Sequence, residues 1–231
     1  MLGDQLKLPL PEESAGRRLP ERIRPMEAVA VDTPFDDPDY FFEPWWPGAR
    51  ALAFVESGLL RMQVTGLSDP IAAFPELGDL PQQLVGEGVV LDGTLLVLDD
   101  EGRPDPELLR ARLTGGSAGE RHAGRPAYVA SDLLWSEGMS WTRRPFAARR
   151  DRLTAVLPAG DRVIVGRGYV QEGTLVAEAL AGLGIDGLSA KRLSARYRPG
   201  PSRDAWLRAP ISPPEPRPRP TLALILRLPL S

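Results

Sequence analysis

Residues 43–50 read Glu43-Pro44-Trp45-Trp46-Pro47-Gly48-Ala49-Arg50. Two prolines and a glycine surround a pair of tryptophans. Apolar and aromatic runs lie on both sides. Tyr40 to Glu43 and Ala49 to Glu56 read as strands, Gly58 as a turn, and Leu59 to Thr65 as a strand pairing back. Each indole brings a large apolar body and a single N–H that only donates, so both tryptophans are candidates for core aromatics.

Outward from this centre, helices and strands alternate without a regular βαβ rhythm, which favours an α+β fold. Asp69 to Leu84 has helical spacing through Ile71, Phe74, Leu77 and Leu80, interrupted by Pro75 and Pro81. Gly88 to Leu98 is a strongly apolar run around Asp92-Gly93, read as a hairpin or a bulged buried strand, with the Asp-Gly step favouring a turn. Pro104 to Leu113 is a short helix with acids in its first turn. Ala127 to Trp135 is a strand, and Pro145 to Leu157 an arginine-rich helix. Its cations, with those just before it (Arg143, Arg144, Arg149, Arg150 and Arg152), are candidates for a local basic face toward nucleic acid, with a solvated helix face the favoured reading. Arg162 to Val165 is a short strand, Gln171 to Leu183 a helix stopped by Gly184, and Gly187 to Arg192 a further strand.

The ends differ in composition. Residues 1–24 are polar and proline-rich, as in a loosely ordered arm. Residues 209–220 hold six prolines in twelve positions, and Thr221 to Leu230 is an apolar tail expected to dock on the core or on a partner.

The 231 residues are 42% apolar and 26% charged, which suits a globular chain with a sizeable core. No apolar run reaches the roughly 18 residues needed to cross a bilayer. Acids and prolines stand where a signal peptide would be apolar, so the expectation is a cytoplasmic protein with no membrane partner. The chain has no cysteine, which excludes disulfides and thiolate chemistry. His122, the only histidine, lies in a Gly- and Arg-rich stretch, which leaves Ser-His-Asp catalysis little to build on. Lys7 and Lys191 are the only lysines; the remaining cations are arginines, which stay protonated and cannot attack as nucleophiles. A net charge of -3 gives no global attraction to nucleic acid.

Several segments, in order, resemble the adenylation (nucleotidyltransferase) domain of ATP-dependent DNA ligases. Arg24-Pro25-Met26 resembles the start of that domain. Phe42 to Arg50 resembles its attachment motif, E-P-K-W-D-G-x-R. Phe74-Pro75-Glu76-Leu77 resembles a helix between the early motifs. Val90 to Leu95 resembles V-L-D-G-E-L, and Arg103-Pro104-Asp105 follows as in the family. Tyr128 to Leu134 resembles Y-V-A-F-D-L-L, and Asp186 to Arg192 resembles E-G-L-V-A-K-R. Tyr197 to Gly200 and Trp206 to Arg208 resemble the closing Y-x-P-G and W-L-K segments. The resemblance implies an α+β fold of the ligase-type nucleotidyltransferase (ATP-grasp-like) kind, with antiparallel sheets flanked by helices and a nucleotide cleft between them. It implies a domain over residues 25–208, and a segment 209–231 too short for the oligonucleotide-binding barrel that follows in the family.

In that family a lysine amine attacks the α-phosphorus of ATP with Mg²⁺ bound, and the AMP then passes to a DNA 5′-phosphate. Set against this pattern, Trp45 stands at the nucleophile position and Pro47 at an aspartate. Thr65 stands near an arginine, Thr94 at a glutamate, Ser131 at the adenine-stacking phenylalanine and Pro210 at a lysine. By resemblance, Glu43, Arg50, Asp92, Asp132, Lys191 and Arg208 remain as nucleotide-binding residues, and Asp186 as a shortened metal carboxylate. ATP and Mg²⁺ are the implied cofactors, and DNA or a DNA-repair protein the implied partner. Three readings follow. One is a degenerate adenylation domain serving DNA repair or recombination without forming AMP adducts. The second is a working ligase or nucleotidyltransferase using Lys191, and the third is a pure protein-interaction module.

Overall fold

The computed structural model describes residues 18–115 and 123–227, so His122 and residues 1–17 lie outside the described residues. The strands are β1 (Met26–Glu27), β2 (Val29–Ala30), β3 (Asp37–Pro44), β4 (Ala49–Glu56), β5 (Leu59–Val64), β6 (Val89–Leu98), β7 (Arg125–Ser136), β8 (Met139–Ser140), β9 (Val163–Val165), β10 (Tyr169–Gln171), β11 (Gly187–Arg192), β12 (Gly200–Pro201) and β13 (Trp206–Pro210). Among the described residues they form two main sheets, in the orders β10-β3-β11-β13-β2 and β5-β4-β6-β7-β8, with β9 against β7. Neighbours run antiparallel except β13–β2, β7–β9 and the small β1–β12 pair.

Trp45 to Gly48 is the crossing from one main sheet to the other: β3 ends at Pro44 in the first and β4 begins at Ala49 in the second. The kink that Pro44, Pro47 and Gly48 impose therefore sets the cleft between the sheets. Gly48 is required by close approach, since a Cβ there would lie 2.2 Å from the Leu95 carbonyl oxygen.

β6 is buried on both faces, which explains its nearly unbroken apolar run. Leu91, Leu95 and Val97 enter one core with Phe74, Leu77, Tyr128 and Leu153. Leu96 and Leu98 enter another with Phe42, Val129, Val176 and Leu188. Of the two readings of the Asp92-Gly93 step, the bulged buried strand holds and the turn does not: both residues lie inside β6, where the register against β7 shifts between them. The glycine is demanded by packing, because a Cβ would sit 2.3 Å from the Val129 carbonyl oxygen.

Asp69 to Leu84 breaks into α1 (Pro70–Ala73), a 3₁₀ turn (Pro75–Leu77) and α2 (Leu80–Gln83), with Pro75 and Pro81 each in a first turn. Helix α3 (Pro106–Thr114) is capped by Asp105, which accepts from Glu107 N and Leu108 N, and ends at Gly115 with φ of 70°. Helix α4 (Phe146–Val156) packs on β7. Its expected solvated arginine face is wrong at Arg149, which is buried and bonded to Asp132. Helix α5 (Gly173–Gly182) packs on β11 and β3.

The first turn of α5 is tied down by Asp36, which accepts from Thr174 N at 2.8 Å and from its hydroxyl. The backbone bond from Thr174, then the hydroxyl bond, hold this carboxyl below its ordinary 3.8. A folded-state pKa below the unfolded one contributes stability above the unfolded value and loses it as pH falls through the folded value. Asp36→Ala should therefore lower the thermal midpoint by a few degrees at pH 7 and hardly at all near pH 2, as read by circular dichroism melts.

Both ends are held more closely than their composition suggests. Leu19 is buried, and its N–H donates to the Glu56 carboxylate at 2.9 Å. Gln63 bonds both backbone groups of Ile23, and Arg61 donates to the carbonyls of Pro20 and Glu21. Residues 19–23 thus lie along β5, although the sequence placed them in a loose arm. At the other end, helix α6 (Leu222–Arg227) inserts Leu222 and Ile225 into the core beside Leu180 and Ile185. Arg217 and Arg219 pin the approach to Asp186 and to Asp99 and Asp105. No helix among the described residues is long and apolar enough to cross a membrane.

Candidate nucleotide cleft

The pairing of β3 with β11 sets Glu43 opposite Ser189, and the pairing of β4 with β6 sets Arg50 opposite Thr94. The two pairs face each other across the inter-sheet cleft. With Trp45, Trp46, Asp92, Ser131 and Trp206 among others, they line a cavity of about 80 Å³. Sites for drug-sized ligands usually run to roughly 300–1,000 Å³.

Trp45 explains the small volume. Its ring packs on Trp206 with centroids 5.6 Å apart and planes 31° from parallel. Arg208 lies 4.6 Å above Trp45, and Arg50 lies 4.5 Å from Trp206. Guanidinium, indole, indole and guanidinium form one stack, which gains dispersion, area burial and cation–π attraction together. Trp46 is buried on the core side with Phe42 and Leu188.

The charged residues are engaged with one another. The Arg50 guanidinium grips Asp92 through two hydrogen bonds and donates to the Met26 carbonyl. Burial works against its charge, but the Asp92 carboxylate, with Tyr197 and Asp132 behind it, holds the Arg50 pKa above its ordinary value. Tyr197 donates to Asp92 at 2.7 Å and accepts from Met26 N at 3.0 Å; burial, then the Asp92 charge, push its phenol up. Tyr197→Phe would deprive Met26 N of its acceptor and Asp92 of a donor. The expected loss is about 1–3 kcal/mol in urea unfolding.

Lys191 has its Nζ 2.7 Å from Glu43 Oε1 and 3.2 Å from the Ser131 carbonyl, with both members of the ion pair buried. Asp132, also buried, accepts from Arg149 Nε and Nη2, each at 2.7 Å, and from Leu133 N at 2.8 Å. Asp186 is exposed, pairs with Arg217 at 3.0 Å, and is absent from the cavity lining. Arg208 is exposed and used in the stack. Of the residues carried over by resemblance, the fold thus gathers Glu43, Arg50 and Asp92 at the cavity, with Lys191 bonded to Glu43. Asp132 is drawn to α4 and Asp186 to the C-terminal segment. Among the described residues no group of three or more His, Asp or Glu side chains is arranged to hold a metal ion.

The residues present do not fit ATP and Mg²⁺ in this arrangement. The cavity is smaller than a nucleotide needs, and Arg50 and Lys191 are committed to internal carboxylates. At the cleft, Glu43 Oε2 and Trp46 Nε1 are buried with no hydrogen-bond partner among the described residues. Sequence reading missed three contributors. Tyr197 and Trp206 stood inside quoted segments, where only their membership in a motif was visible. Arg149 carried no signal apart from its place on the α4 face that packs against β7.

The two sheets, their crossing and the cleft define a nucleotidyltransferase-type adenylation domain. Residues 25–209 match the ATP dependent DNA ligase domain profile, which places this chain in the ATP-dependent DNA ligase family. It is similar to the multifunctional non-homologous end joining protein LigD of Mycolicibacterium smegmatis, at 26% identity over 195 residues, 83% of this chain and 24% of LigD. It is also similar to DNA ligase C1 of the same species, at 32% identity over 187 residues, 77% of this chain and 54% of that protein. Among solved structures, mycobacterial DNA ligase D complexed with ATP and MES superposes with a TM-score of 0.67 at 26% identity. That match covers 81% of this chain and 60% of the other. The chain thus spans about a quarter of the length of LigD.

Proposed function

We propose that this chain is a non-adenylating member of the ligase family, which contacts DNA in repair without forming the AMP adduct. The observation that carries the reading is the stack of Trp45 on Trp206 at the position where the family pattern has a lysine. An indole offers no lone pair to phosphorus, and Lys191 is withdrawn by its ion pair with Glu43. In-line attack loses rate steeply with misplacement of about 1 Å, so a lysine on a different strand is a poor substitute. These points weigh against the reading as a working nucleotidyltransferase. Because the family relatives include end-joining proteins, DNA end joining is the proposed setting.

Retained DNA contact is supported by arginines with no ion pair among the described residues. Arg196, Arg198 and Arg203 are exposed around a groove of about 400 Å³ on the loops between β11 and β13. Arg143 and Arg144 are exposed on the neighbouring loop, tied to this one by Tyr197 N donating to the Thr142 carbonyl. Five such cations on these neighbouring loops give a local positive face on a chain of net charge -3. Each phosphate contact adds about 0.9 to the slope of log affinity against log salt.

Two measurements test the two halves of the proposal. Millimolar ATP with Mg²⁺ should leave the melting temperature unchanged, and a rise of several degrees would contradict the closed cleft. Fluorescence anisotropy with a labelled nicked duplex should show salt-dependent binding, weakened about tenfold or more by Arg196→Glu with Arg198→Glu and Arg203→Glu. Binding that ignored all three changes would reject this face as the contact.

A further inference from the structure

The structure assigns a second binding site, between α4, β9 and α6, to a small organic anion with an apolar body. The cavity there measures about 400 Å³, within the range of ligand sites and five times the volume of the nucleotide cleft. Its walls combine two chemistries. Leu157, Ile164 and Leu226 supply apolar surface, and Arg150, Arg167 and Arg227 supply three guanidinium groups. None of the three arginines forms an ion pair with a described residue, whereas Arg149, one position from Arg150, is locked onto Asp132.

Arg150 is the unusual member. It is half-buried, donates through Nη2 to the Gly166 carbonyl, lies 4.8 Å from the Phe41 ring, and keeps Nη1 buried without a partner. Burial pushes its pKa down against the pull of Glu43, Asp132 and Asp151. A cation taken partly out of water is costly unless an anion approaches it. The nearby Glu43 and Asp132 carboxylates already have cations of their own. A carboxylate entering the cavity would relieve Arg150 and meet Arg167 and Arg227 at the rim, while its alkyl or aryl part covered the leucines. A neutral apolar molecule would forgo the first gain, and a bare anion the second. The site stands apart from the nucleotide cleft, with Gly166 as the wall between them. A Cβ built on Gly166 would lie 3.4 Å from Glu43 Oε2 and 3.6 Å from Trp46 Nε1.

Titration calorimetry of the full chain with octanoate, 1-octanol and acetate tests the assignment. Octanoate should bind at least tenfold more tightly than either comparator. Arg167→Ala with Arg227→Ala should cost at least tenfold in octanoate affinity while leaving the melting temperature unchanged, since both side chains are exposed. Filling the apolar wall by Leu226→Trp should also abolish the octanoate signal. Equal binding of octanoate and octanol, equal binding of octanoate and acetate, or octanoate affinity unmoved by the arginine pair would each overturn the proposal. None of these outcomes bears on ATP or DNA, so the site stands or falls independently of the proposed function.

Discussion

Arg149→Ala should destabilise the domain by about 3–5 kcal/mol, the range found when one partner of a buried ion pair is removed. The pair it forms with Asp132 is almost fully buried, with side-chain exposures of 1% and 3%, so water cannot replace the lost partner. Arg149 also donates through Nη1 to the carbonyls of Arg144 and Ala195 at 2.7 and 2.9 Å. The substitution therefore strands a carboxylate and two carbonyls at once, and it uncouples α4 from the loop after β11. Urea titration followed by tryptophan fluorescence reads the loss. Arg110→Ala, on an exposed i,i+3 pair with Glu107, is the control and should move the midpoint by less than about 0.5 kcal/mol. A similarly small effect at Arg149 would mean that the buried pair is not formed.

Lys191→Met carries the second large effect, again about 3–5 kcal/mol, because it leaves the Glu43 charge buried and unpaired. Glu43 Oε2 already lacks a partner, so it has no alternative donor in place. Adding Glu43→Gln to Lys191→Met should restore much of the loss, since the double variant buries no charge. Double-mutant coupling of at least about 2 kcal/mol is expected for residues in direct contact. If the two changes simply added, the ion pair would not be the structural link between β3 and β11.

How much of this was legible in sequence depended on how local the cause was. Strand β4 runs over the expected residues, Ala49 to Glu56, because a short apolar run and a following glycine turn are local signals. The α+β class and the order of the ligase-like segments were also readable. Asp92-Gly93 left turn and bulge both open because a glycine forced by a carbonyl across the sheet looks the same in sequence as a glycine forced by a turn. The α4 arginines were misread at Arg149 because its partner lies on β7, seventeen residues earlier in the chain. Trp45 was readable as a missing amine, but its stack with Trp206 joins positions 161 residues apart and only the fold reveals it. Asp186 kept its place in the motif while its carboxylate was taken by Arg217, from a proline-rich stretch that sequence marked only as a linker.

A domain that does not adenylate itself, as proposed, forms no covalent bond between a side chain and AMP. The protein is incubated with α-³²P-ATP and Mg²⁺, denatured, and separated from free nucleotide under conditions that preserve a P–N bond. No label should be retained, in the wild-type chain and in Lys191→Met alike. Label retained on the wild-type polypeptide, on Lys191 or on Lys7, would contradict it.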